Sequence, residues 1–136
     1  MDTTKEYIKM CEKAKEIQKL WIDKTIPEVS ERATIFSTGE DYGMPEWNKT
    51  AVWTPSQGQL QEIAKGIYRK DAQEIKIINI MLLNDFQKWV LKRYPVWLIK
   101  FNFNSFEQLW LGFVMCKLYL KQWDGEDWKL DKGDIN

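Results

Sequence analysis

The chain is 136 residues long, balances 20 Lys and Arg against 20 Asp and Glu, and has no histidine beside eight tryptophans. Histidine is the readiest proton carrier near neutral pH and the commonest metal ligand, so Ser–His–Asp and Cys–His catalysis are excluded outright. Zero net charge argues against a generic polyanion binder, and the length is that of one domain.

The first predicted element is a helix over residues 4–21. Thr3 with Glu6 fits a capping box, and Tyr7, Met10, Cys11, Ala14, Ile17, Leu20 and Trp21 recur at helical spacing. Pro27 ends any continuation. Residues 33–38 and 50–53 are short, β-prone runs around a stretch dense in turn formers, which predicts an antiparallel hairpin over about 32–54 with a long acidic tip. Two strands alone are marginal in water, so the hairpin must pack on helices.

Ser56 with Gln59 forms a second capping box and opens a helix through about Tyr68. Asp71 can cap a third helix over residues 72–94. Its stretch Ile75–Leu83 is apolar nearly all round, as a central helix would be; a buried strand competes for that run alone. Pro95 stops the element, and residues 96–103 leave room for a third strand. Ser105 with Gln108 is a third capping box, heading a core helix to about Gln122 that carries Phe106, Leu109, Trp110, Phe113, Val114, Leu118 and Tyr119. Gly125 closes it as a helix-ending glycine, and residues 126–136 form a polar C-terminal tail. The chain shows no repeat or linker. The expected fold is α+β: a mainly helical single domain over 1–136, with three to four helices and a small antiparallel β-hairpin or sheet.

Catalytic and metal-binding motifs are missing. The seven glycines form no phosphate-binding pattern, two distant cysteines do not make a zinc site, and the acidic run 124–127 with 131–134 lacks calcium-loop spacing. Glu28/Glu31 and Glu40/Asp41 read as solvated surface carboxylates, and Glu107 as a charge favoured in the first turn of a helix. Cys11 and Cys116 read as buried free thiols in a reducing cytoplasm. No basic-then-apolar leader opens the chain, and its longest apolar run falls far short of the ~20 residues of a membrane span. The expectation is a cytoplasmic protein that is not an enzyme and needs no cofactor.

Charge is unevenly spread: residues 25–62 carry a net −4 and residues 63–104 a net +5. In the basic part Lys88–Trp89, Lys92–Arg93–Tyr94, Trp97 and Lys100–Phe101 interleave cations with aromatics, as single-strand nucleic-acid binders do. The alternative is that the rings are core and the cations snorkel past them. Trp21, Trp53, Trp89 and Trp110 fall in periodic positions and read as structural. Trp47, Trp123 and Trp128 fall among polar neighbours, where a tryptophan is either a binding hot spot or a cover for a helix end. With Lys92 and Arg93 they are the candidate binding residues.

Three stretches, residues 6–14 with 17–21, then 59–62, then 105–115 running into 123–128, resemble a group of small uncharacterised phage and prophage proteins of low-GC Gram-positive bacteria. Residues 38–49 depart from that group. The resemblance implies a phage origin and an intracellular setting, and carries over no catalytic residue. The expectation that follows is a phage-encoded accessory protein that binds and blocks a host protein, such as a defence component in the manner of an anti-CRISPR inhibitor. The alternatives are a nucleotide-sequestering protein with an aromatic pocket and a single-strand nucleic-acid-binding module.

Overall fold

The computed structural model describes residues 2, 4–22, 35–38, 50–69, 74–93 and 105–130. Among these, five helices and two antiparallel hairpins bear out a mainly helical α+β fold. Helix α1 spans Lys5–Lys13 and α2 spans Lys15–Ile22; strands β1 (Ile35–Thr38) and β2 (Thr50–Trp53) form the first hairpin. Helices α3 (Gln57–Lys65), α4 (Ile75–Arg93) and α5 (Phe106–Tyr119) follow, and β3 (Lys121–Trp123) with β4 (Trp128–Leu130) makes the second hairpin.

The predicted first helix is two helices, broken at Ala14 (φ −80°, ψ 74°) without proline or glycine. At the break, side chains add to the two carbonyls that receive the Ala14 N–H. The Gln18 Nε2 donates to the Cys11 carbonyl at 3.0 Å, and the Trp128 indole donates to the Met10 carbonyl at 2.9 Å. The same Gln18 amide also accepts from Trp53 N–H at 2.8 Å and donates to Trp53 C=O at 2.8 Å, imitating one peptide of a neighbouring strand. One buried carboxamide thus joins the broken helix to β2.

The cap of α1 is Thr4, not Thr3: its Oγ1 accepts from Tyr7 N–H at 3.2 Å. Asp2 sits behind it, almost fully buried, and its carboxylate receives Thr4 N–H, Ser105 Oγ–H and Gln108 Nε2–H at 2.9, 2.6 and 3.0 Å. The Asp2 N–H donates to Glu107 at 2.9 Å, so the start of the chain is tied to the start of α5. Ser105 caps α5 as expected, accepting from Gln108 N–H at 3.1 Å. The Ser56/Gln59 box is complete, with bonds of 3.2 and 2.8 Å in the two directions.

Strands β1 and β2 pair with Ile35 opposite Trp53 and Thr38 opposite Thr50, which is the predicted hairpin. Its tip, and with it Glu40/Asp41, lies outside the described residues, as do Glu28/Glu31, Asp71 and residues 96–103.

Helix α5 is the centre of the molecule. Trp110 through Cys116 are all buried, so every face of the helix is covered. Helix α4 lies across it through an aromatic cluster in which Phe86 stacks on Trp110 at 3.8 Å and 2°, while Phe113 meets Phe86 and Trp89 edge-on.

The C-terminal reading also changes. Helix α5 ends at Leu120, a non-glycine residue in the left-handed region (φ 57°), rather than running on to Gly125. The chain turns there at once into β3. Gly125 (φ 104°) serves instead in the turn of the second hairpin, where Asp124 accepts from Glu126 and Asp127 N–H at 2.8 Å each. The first part of the predicted polar tail is therefore β4. Both Cys11 and Cys116 are free and buried.

Candidate functional site

Of the five candidate binding residues, Trp123 and Trp128 meet each other, and Lys92 lies on a different element, α4. Trp47 lies outside the described residues, and for Arg93 only its place in the last turn of α4 is described. Trp123 and Trp128 are a directly opposed cross-strand pair, with rings 5.2 Å apart, and are only 4% and 6% exposed. Their indole N–H groups are both used: Trp123 donates to Glu6 Oε1 at 3.2 Å and Trp128 to the Met10 carbonyl. The polar neighbours that suggested exposure, Asp124 to Asp127, are the turn joining the two strands, and Lys9 anchors that turn to α1 through Glu126 at 2.7 Å. Alternation along a strand places a buried ring beside exposed charges. The exposure expected of these two rings is thus corrected, and their described work is docking the hairpin on α1. None of the described tryptophans is exposed, Trp21 being half-buried against the core.

Lys92 is exposed near the end of α4, and that helix holds the feature sequence reasoning misread. Its buried residues are Ile78, Leu82 and Trp89, with Met81, Phe86 and Val90 partly buried against the core. On other sides Ile77 is 45%, Ile80 67%, Leu83 58% and Leu91 51% exposed. These side chains occur at three- and four-residue intervals or their multiples, which on a helix makes a row. A helix apolar on all sides is ordinarily enclosed. This one is enclosed on one side only, so the expected central position belongs to α5. The signal was present in the sequence, because Lys76, Asn84, Gln87 and Lys88 interrupt the outward side and not the stripe facing α5.

Charge on the helix is one-sided too. Its cations are Lys76, Lys88, Lys92 and Arg93 against a single carboxylate, Asp85. Asp85 accepts a hydrogen bond from the Tyr68 hydroxyl at 2.7 Å, across to the turn after α3. Burial, with the neighbouring Asp85 charge and hydrogen bond, raises the Tyr68 hydroxyl well above its ordinary value, so it stays a donor. The exposed outward row is therefore apolar with lysine neighbours, Glu74 standing just before the first turn. The interleaving of cations and aromatics divides the same way: Lys88 is on the surface and Trp89 in the core.

Groups able to do chemistry are few. Burial pushes the Cys11 thiol far up, away from the reactive thiolate. Among the described residues no cluster of three or more His, Cys, Asp or Glu could hold a metal ion, and no helix is long and apolar enough to cross a membrane. No family model, no curated protein and no solved structure matches the chain.

Proposed function

We propose that the chain is a binding protein that acts by covering a surface of another protein, in the form of a phage-encoded accessory protein that blocks a host factor of the anti-CRISPR kind. The observation that carries this reading is the outward row of α4, where Ile77, Ile80, Leu83 and Leu91 stand exposed on a helix firmly docked by its other side. Exposed apolar patches with polar rims mark interaction surfaces, and a rigid helix face presents them without an ordering cost. The resemblance to phage proteins supplies the biological setting. Against the single-strand nucleic-acid alternative stands Trp89, the described ring of the basic stretch, which is turned inward and offers no stacking platform.

Affinity capture from lysate of a low-GC Gram-positive host, with and without nuclease, tests the proposal. The expected result is a nuclease-resistant protein partner retained by the native chain and lost with Ile80→Asp/Leu83→Asp, the variant's melting temperature staying near that of the native protein. A partner retained equally by both, a nuclease-sensitive one, or a nucleotide co-purifying as excess absorbance at 260 nm would overturn it.

A further inference from the structure

We infer that the partner of the α4 face is a protein surface of the opposite character along its rim: an apolar ridge or groove flanked by carboxylates, as on an acidic amphipathic helix. This rests on the proposed function and adds the chemistry of its partner. Lys76 and Lys88 are exposed beside the outward apolar row, and the helix's one carboxylate is engaged with Tyr68. An apolar contact desolvates what surrounds it, and a lysine rim left facing cations or nothing would cost affinity, whereas carboxylates opposite it add attraction and speed encounter.

The same features disfavour the other occupants. In a two-fold contact each copy presents the same patch, so a second copy would set this lysine-bearing face against itself. A lipid surface suits the lysines, but Asn84 and Gln87 are exposed within the same outward side. Their amides would enter the acyl boundary without partners, at a cost, while a protein can pair them. The α4 face thus fits a helix-sized partner read by apolar anchors at three- and four-residue spacing.

Three designed peptides of about three heptads test this: leucine at the a and d positions with glutamate flanks, the same with lysine flanks, and the glutamate peptide scrambled. Fluorescence anisotropy should show the glutamate-flanked peptide binding at least about tenfold more tightly than either control, with affinity falling as salt is added. Lys76→Glu/Lys88→Glu should reverse the preference toward lysine flanks, and Ile80→Asp/Leu83→Asp should abolish binding of both, each variant keeping its native circular dichroism. Equal binding of the two flanked peptides, or a preference that the charge reversal leaves intact, overturns the inference. So does Leu83-dependent dimerisation in sedimentation, or binding to phosphatidylserine vesicles without binding to the peptides. Those failures leave the proposed function standing if lysate capture still depends on Ile80 and Leu83; loss of that dependence removes both.

Discussion

Helices α4 and α5 are written in the same alphabet and occupy opposite situations. Both are largely apolar, α4 chiefly through Ile and Leu and α5 chiefly through Leu and Phe, and neither shows a clean polar side. α5 is enclosed by α1, α3, α4 and the β3–β4 hairpin, with its middle seven residues all buried. α4 touches the body along Ile78, Leu82, Phe86 and Trp89, with Met81 and Val90 partly buried against it, and turns Ile77, Ile80, Leu83 and Leu91 outward. Burial is a property of where neighbours stand, so apolar composition on all sides of a helix predicts contact without saying whether the contact is intramolecular. In α5 the contact is the core. In α4, on the proposed function, half of it awaits a partner.

The sharpest way to break this contrast is to remove a ring at the junction of the two helices. Phe113→Ala should cost about 3–5 kcal/mol in chemical denaturation, because the ring is fully buried and meets three aromatic neighbours. A loss below about 1 kcal/mol would mean that α5 is not the centre.

Gln18→Ala comes next, at about 1–3 kcal/mol, since it takes the side-chain partner from the buried Trp53 N–H and C=O and leaves the Cys11 carbonyl with the Ala14 N–H alone. If α1 and α2 instead fuse into one helix in this variant, helical circular dichroism should rise while stability still falls.

A smaller effect, and one with a pH signature, is expected at Asp2. Burial alone would raise its carboxyl, but the hydrogen bonds from Ser105, Thr4 and Gln108 outweigh it and hold the pKa below the ordinary value. A carboxylate depressed in the folded state contributes stability above its unfolded pKa of about 4, and that contribution is lost as pH falls through the folded value. Asp2→Asn should therefore lower stability by about 1 kcal/mol at neutral pH, with the gap from the native protein closing below about pH 4 in melts taken across pH. A gap that is constant with pH would assign the loss to packing rather than charge.

The smallest expected effect is also the most diagnostic for α4. Ile80→Ser and Leu83→Ser should each change stability by no more than about 0.5 kcal/mol, because both side chains already face water. A loss of several times that in either variant would put the outer side of α4 inside the fold and remove the proposed docking face.

Much of the architecture was legible from local rules. The caps at Ser56 and Ser105 announce themselves because a short polar side chain can satisfy the next turn's N–H groups with no help from distant parts of the chain. The first hairpin and the helical content follow from periodicity for the same reason. The candidate site was less legible. Trp123 and Trp128 sit in a sequence of charges, and nothing local says that a four-residue turn folds those charges away from two paired rings and that α1 offers an acceptor to each indole.

What the amino-acid sequence determined by itself is the fold class: a mainly helical α+β fold, with the helix caps at Ser56 and Ser105, the first hairpin and the absence of histidine chemistry all set by residue type and short-range spacing. What only the tertiary structure decided is which apolar surface is shared and which is left over. At the break around Ala14, Gln18 reaches to Trp53 and Met10 receives the indole of Trp128, more than a hundred residues downstream, and Leu120 turns left-handed where β3 begins. Likewise, the polar residues Lys76, Asn84, Gln87 and Lys88 mark the side of α4 that faces water, but which elements meet around α5 and cover it is a matter of long-range placement that no window of neighbouring residues contains.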